Sequence, residues 1–415
     1  MPHAELADVF SFDFHKYLFD LTHVEWIIHE LSGGNANFVV RAVQANPPTL
    51  ASWTPDTGED TESNLKEKLL GCASIVLKQA PPYFAKFPAF AFSQTRQTIE
   101  ARALHLFQKA SPLSRALQGN PCIRVPNLLY YDKSQHVLIQ SDLGAHPTLD
   151  EFLDSPSTTP ESASIAGESL GRFLASIHHA CDDNSTISTT AHGELFKLFT
   201  NEDGEIVMNQ VIDNVQAFMK DAGVPDHEDL GHRAREHWRT RKKIAFSQGD
   251  IWFGTILVDA TSDAPILKIC DWEFAGPNDL AADVAQLGAY LHLSTLSPLK
   301  AADHKHQRIL RAFASALYSA HLPPLHSSSD RRAYQRSLLV MHGWELINAA
   351  AWRHRLWCDC PGFGVKCGHI KSMISEGVKL LRACGHADGM VDWGVVKDVN
   401  WFNAPERESL RVAPA

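Results

Sequence analysis

The texture of the chain changes sharply near Gln140-Ser141-Asp142-Leu143. Before that point, short runs of strand length recur: Phe38 to Val43, Ala73 to Lys78, Ile123 to Val125 and Val137 to Gln140. After it, apolar residues fall at helical spacing over 162–179, 208–219, 279–291, 307–318 and 331 to about 357. Strands return only within 245–271. Strands need sheet partners, and amphipathic helices need apolar surface to cover. The order therefore predicts an α+β, bilobal chain: a small β-rich lobe over 1–140 and a larger helical lobe over 141–415. Its 415 residues suffice for two cores, since one core stops growing at about 250–300 residues.

Within the first lobe, Ile99, Ala103, Leu104, Phe107 and Ala110 mark one helix from Ser93 to about Ala116. Residues 44–66 carry several prolines and acidic residues and read as an exposed insertion joining two paired strands. Pro81 to Phe92 is rich in proline and aromatics without a period. It is expected to be a packed loop, with a lid over a ligand as the functional alternative.

Composition narrows the function classes. Lys+Arg of 38 against Asp+Glu of 48 gives a net charge of −10, which argues against a general nucleic-acid binder. The basic run from His232 to Lys243 accordingly reads as a solvated helix face. No uncharged apolar run reaches about 18 residues, and Met1 to Phe14 lacks the pattern of a secretory signal. Eight scattered cysteines do not make a disulfide scaffold. A cytoplasmic protein with no membrane or nucleic-acid partner is the expectation.

The chemistry concentrates in a few places. In Phe246-Ser247-Gln248-Gly249-Asp250, an Asp sits in a Gly-containing loop ahead of the strand Ile256-Leu257-Val258. A second apolar run, Leu267 to Cys270, ends on Asp271. If the two strands pair as a hairpin, both carboxylates come to the same end. One could then act as general base and the other could hold Mg²⁺ against phosphates. Each alone could equally cap a turn. Upstream, Leu31-Ser32-Gly33-Gly34-Asn35-Ala36-Asn37 opens into a strand, a turn in which backbone N–H groups can approach phosphates. Lys78 ends a buried strand and needs a partner, which Glu100 on the following helix could supply.

This order of loop, Lys, Glu, Asp and Asp resembles the aminoglycoside phosphotransferase and choline kinase family, a branch of the protein-kinase-like fold. The resemblance spans roughly residues 25–295. It implies an ATP- and Mg²⁺-dependent phosphotransferase acting on a hydroxyl of a small molecule: an amino-alcohol, a sugar or a hydroxylated amine. Asp250 would be the base, and Asp271 and Thr255 the metal ligands. Ser32, Gly33, Gly34, Asn35 and Asn37 would cover the triphosphate. Lys78, positioned by Glu100, would meet the α- and β-phosphates. Gln140, Asp142 and Leu143 would form the hinge that faces adenine. Asp283 would anchor the catalytic loop rather than react.

Two positions depart from the family pattern. Gln248 stands where the family usually has His, with a supporting hydrogen-bonding role expected for it. Thr255 stands where the family usually has Asn. They are the support for an alternative, a catalytically silent kinase-like protein that binds a nucleotide or metabolite. Three further features carry open readings. Cys358-Asp359-Cys360 with Cys367-Gly368-His369 could hold zinc, although C-x-C is tight for one metal and free thiols are the plainer reading. His178-His179 reads as a helix-end cap. Trp344, Trp352 and Trp357 could wall an acceptor site for an aromatic or quaternary-amine acceptor, or simply fill the core.

Overall fold

The computed structural model describes residues 12–31, 34–45, 62–180, 198–199, 202–240, 244–262, 264–321, 327–362, 364–385 and 391–396. In chain order the first elements are α1 (Phe14–Thr22), β1 (Trp26–Glu30), β2 (Phe38–Gln44), α2 (Glu62–Leu70) and β3 (Ser74–Gln79). Then come β4 (Tyr83–Phe84), β5 (Phe87–Ala91), α3 (Thr95–Gln108), α4 (Pro112–Gln118), β6 (Ile123–Arg124), β7 (Leu128–Asp132) and β8 (Val137–Ser141). The following stretch holds α5 (Leu149–Asp154), α6 (Pro160–His179), α7 (Glu202–Asp221), α8 (His227–Arg239) and β9 (Ile244–Ser247). It continues with β10 (Ile256–Asp259), β11 (Ile266–Ile269) and β12 (Gly276–Asp279). The last helices are α9 (Ala282–Leu296), α10 (His304–Ala320), α11 (Ser328–Trp352), α12 (His354–Trp357), α13 (Gly368–Ala383) and α14 (Trp393–Val396).

The chain divides into two compact units, one of residues 1–109 with 125–145, the other of 110–124 with 146–415. The α+β organisation is as expected, with a β-rich first unit and a helical second. The division is not a single cut at 140. Residues 110–124 go with the second unit because β6 pairs in parallel with β11, and 141–145 stay with the first.

The first unit is built on a five-stranded sheet in the order β1-β2-β3-β8-β7. Strand β2 alternates buried and half-buried residues, the period-2 pattern of a sheet with one covered face. Val40, Ala42, Ile75, Leu77, Val137 and Ile139 form its core with Leu18, Trp26 and Leu69. Three local features differ from expectation. The helix from Ser93 ends at Gln108, and a new one starts at Pro112. Pro has no N–H to continue a helix, and Ser111 caps the new one through the backbone N–H of Ser114. Residues 83–91 form a two-stranded hairpin rather than a loop, with Tyr83 and Ala85 packed on the core and Phe87–Ala91 exposed. Helix α2 occupies the end of the 44–66 insertion, the remainder of which lies outside the described residues.

The second unit is mostly helical. Helices α6 and α10 pack closely because Gly167 and Gly171 carry no side chain. A Cβ on Gly167 would lie 2.2 Å from the Phe313 carbonyl oxygen, and one on Gly171 2.5 Å from that of Leu317. Strand β10 pairs antiparallel with β11, setting Ile256 opposite Ile269, while β9 pairs with β12. Among the described residues no helix is long and apolar enough to cross a membrane.

Candidate active site

In the first unit, Lys78 lies on β3 between Val39 and Leu138 and is 6% exposed. Its ammonium reaches both oxygens of Glu100, at 2.9 and 2.8 Å, and Glu100 is fully buried. The expected pair is therefore formed within the unit. It has the geometry that makes a buried ion pair tenable, a short contact to both carboxylate oxygens.

The Gly-rich turn joins β1 to β2, and the N–H of Leu31 donates to the Val39 carbonyl at 2.9 Å. Ser32 and Gly33 lie outside the described residues. Gly34 and Asn35 are exposed, whereas Asn37 is buried, its side-chain oxygen accepting from Arg96 Nε at 2.9 Å. Sequence reasoning missed Arg96. Fully buried on α3, it donates through Nη2 to the carbonyls of Ala36 and Pro81, both at 2.9 Å, and through Nη1 to those of Phe92 and Ser93. With Asn37, that engages all five N–H donors of the guanidinium. The available signal was spacing: Arg96 and Glu100 stand i, i+4 on one helix face, so a face that turns in the Glu turns in the Arg as well.

Gln140 is buried on β8, opposite Val76. Asp142 is saturated by neighbours. It pairs with Arg41 at 2.8 Å and accepts from Ser74 Oγ at 2.9 Å and from the Gly144 N–H at 2.8 Å. These donors hold its carboxyl below the usual range despite partial burial, which works against them. The Asp142 side chain thus fastens the end of β8, and a nucleotide contact at this position would fall to the main chain. Leu143 follows directly and is half-buried.

In the second unit, the hairpin of β10 and β11 brings the Asp250 loop and Asp271 to one end, as their spacing predicts. Gln248 braces them. Its side-chain amide donates to the carbonyls of Cys270, at 3.2 Å, and Asp271, and its Oε1 accepts the Asp250 N–H at 2.9 Å. Asp283 accepts the backbone N–H groups of Gln248 and Gly249, both at 3.0 Å, which is the anchoring role expected of it. Gly249 has φ +91, and a Cβ there would meet the Phe274 carbonyl oxygen at 2.2 Å, so the loop requires glycine. Asp271 itself holds φ 64, a left-handed conformation that Asp tolerates better than most residues.

Asp250 accepts from Gln286 Nε2 at 2.8 Å. Its carboxyl is pushed up to about 6, by burial first and by the Asp271 charge, with Arg353 opposing. Thr255 is buried and engaged in its own turn, accepting from the Trp252 N–H at 3.1 Å and donating to the Trp252 carbonyl at 2.9 Å. The donors here are hard carboxylate oxygens, a set that fits a hard divalent cation.

A second set of groups beside Asp250 was not foreseen. The Arg353 guanidinium lies 3.7 Å above the Trp252 ring and 5.8 Å from the centre of the Tyr290 ring. The buried Glu345 carboxyl is pushed up to about 8, by burial first and then by the Asp250 charge, with Arg353 opposing. The tryptophans expected to wall this region divide differently. Trp344 is core, packed on His237 and Trp238, and Trp352 is 62% exposed. Of the three, Trp357 reaches the region, edge-on to Tyr290 at 6.0 Å. Helices α9 and α11 supply Tyr290 and Glu345, and nothing in an isolated helical pattern shows that these polar groups turn inward.

His178 is not a helix-end cap. Buried, it sits 3.0 Å from Asp283 through Nε2 and 2.8 Å from His321 through Nδ1, and His321 contacts the Tyr334 hydroxyl at 2.9 Å. The Asp283 anchor is thereby tied to α6, α10 and α11.

No family model matches the chain. The 4-hydroxytryptamine kinase of Psilocybe cyanescens is 27% identical over 225 residues, covering 51% of this chain and 58% of that protein. The 4-hydroxytryptamine kinase of Psilocybe cubensis is 25% identical over 224 residues, with the same coverage. The match thus spans little more than half the length of these curated relatives. Among solved structures, a microcompartment-associated aminopropanol kinase gives a TM-score of 0.48 at 13% identity, covering 91% of this chain and 99% of that one. Plasmodium vivax ethanolamine kinase gives 0.45 at 9%, covering 86% and 83%. Motif order, loop geometry and curated relatives agree that the chain is similar to the aminoglycoside phosphotransferase and choline kinase-like family.

Proposed function

We propose that the chain transfers the γ-phosphoryl group of ATP to a hydroxyl of a small hydroxylated amine. The observation that carries this reading is Asp250: a carboxylate fixed by Gln286, on a loop held by Gln248 and Asp283, with its pKa raised to about 6, near working pH. A general base is most effective when its pKa lies there. Asp250 takes the acceptor hydroxyl proton, the acceptor oxygen bonds to the γ-phosphorus, and the bond from that phosphorus to the bridging oxygen breaks, releasing ADP.

Lys78, oriented by Glu100, binds the α- and β-phosphates, with the backbone from Ser32 to Asn37 over the triphosphate. Main-chain groups of Gln140, Asp142 and Leu143 face adenine. Asp271 would hold Mg²⁺, which when bound neutralises phosphate charge. Thr255, engaged within its turn, could add only the lone pair left on its oxygen. For the acceptor, Glu345 is a buried carboxyl in the field of Tyr290 and Asp250, and a protonated amine would add to the charge that Arg353 supplies there. The names of the curated relatives point to the same acceptor class.

The test is turnover of Mg-ATP with 4-hydroxytryptamine, other hydroxylated amines and amine-free sugars. Turnover confined to amines is expected. Asp250→Asn should lose about 10²–10⁴ in rate while keeping the Mg-ATP thermal shift. Full activity in that variant would refute the assignment, and nucleotide binding without turnover on any acceptor would favour a silent binding protein.

A further inference from the structure

The segment after α11 gathers sulfur and imidazole into one place. The Cys358 sulfur lies 2.8 Å from that of Cys360 and 3.6 Å from that of Cys367. The ligand atoms of His354, Cys358 and Cys367 lie within 4.8 Å of one another, and all three residues are buried. Two sulfurs on one tetrahedral zinc stand about 3.8 Å apart, given Zn–S bonds of about 2.3 Å. The Cys358–Cys367 separation already matches that edge. Cys360 needs only a small opening of its turn.

Two imidazoles border the thiols: His369 groups with Cys358 and Cys360 but is exposed, whereas His354 is buried and groups with Cys358 and Cys367. His354 opens α12 and Cys358 is its C-cap, whose N–H donates to the His354 carbonyl at 3.0 Å, so one turn separates imidazole and thiol. We propose that His354, Cys358, Cys360 and Cys367 bind one zinc ion, a site separate from the phosphotransfer chemistry.

The surroundings suit that occupant. Cys367 is the N-cap of α13, where backbone N–H groups favour a thiolate. The Cys360 N–H donates to Cys358 Sγ at 3.3 Å, the kind of outer hydrogen bond that steadies a thiolate ligand. Three thiolates with one imidazole favour zinc over the hard cations, and a four-thiolate iron–sulfur cluster would need a fourth cysteine.

The site also has a position that matters. His354 follows Arg353, which stacks on Trp252, and Cys358 follows Trp357, which packs on Tyr290. Zinc would pin the short helix between these two residues and so hold that wall in place.

Zinc content after purification and a wash with weak chelator should be one equivalent per chain by mass spectrometry. Cobalt substitution should give the intense visible absorption of a tetrahedral thiolate site. Cys358→Ser, Cys367→Ser and His354→Ala should each lose zinc, whereas His369→Ala should keep it. Stripping the wild-type chain with a strong chelator should change its tryptophan fluorescence, and added zinc should restore it, so the test does not depend on any variant folding. A chain purified without zinc that gives no cobalt spectrum overturns the proposal. So does a thiol count showing an oxidised cysteine pair with no metal bound. Loss of zinc in His369→Ala with retention in His354→Ala overturns the ligand set. None of these readouts depends on phosphotransfer.

Discussion

The two units keep their buried charges in opposite states. In the first, every acidic group of the candidate site is matched: Glu100 receives both contacts of Lys78, and Asp142 receives Arg41, Ser74 and the Gly144 N–H. In the second, Asp250 lies in the field of Asp271 and Asp283, Glu345 lies in the field of Asp250, and Arg353 opposes the shifts of Asp250 and Glu345. A matched set is finished by folding and serves to hold a shape. A set whose carboxyls act on one another is suited to bind cations, such as a metal ion or an ammonium group.

The same chemical change should therefore act with opposite sign in the two places. Glu100→Gln strands the Lys78 ammonium in a buried site and should cost about 3–5 kcal/mol, read by denaturant unfolding. A loss below about 1 kcal/mol would mean that the pair is solvated and the contrast false. Arg96→Lys comes next. An ammonium has three donors against five, so at least two of the acceptors around it lose their bond, for about 2–4 kcal/mol. Nucleotide affinity should fall with it, because Ala36 and Asn37 are among those acceptors.

Glu345 sharpens the comparison through pH. Its folded pKa, about 8, lies above the ordinary 4.5, so the folded chain keeps a proton that the unfolded chain releases. Stability should then fall as pH rises through that interval, by about 3–4 kcal/mol between pH 5 and 8. Thermal melts of Glu345→Gln across the same range should be flatter, and an unchanged slope would place the titration elsewhere. Asp250→Asn is the smallest effect and the reversed sign. Removing an ionised carboxylate from the field of Asp271 should raise stability at pH 7 by about 1 kcal/mol.

The sheet was legible from sequence because its strands carry the period-2 and β-branched signals: β2, β3 and β8 fall within a residue or so of their predicted bounds. The break at Pro112 was also within reach, since proline is a local signal. The Asp250 and Asp271 loops were legible because each lies directly beside a strand of one hairpin. Glu345 and Arg353 were not, and Arg96 was so only through its i, i+4 spacing from Glu100. A charged residue on a helix reads as solvent-facing until tertiary packing turns its face inward, and that information sits in other segments of the chain. The inward turn of His178 was hidden for the same reason, since its partners Asp283 and His321 are over 100 residues away.

The amide at position 248 has one more consequence. A histidine there would change charge near neutrality, and the tie between the two acidic loops would change with it. Glutamine does not titrate. The joint that fixes Asp250 against the Asp271 backbone keeps the same donors and acceptor in mild acid and mild base alike. Glutamine at this position makes that one joint indifferent to pH, while the carboxyl groups it holds can still gain or lose a proton.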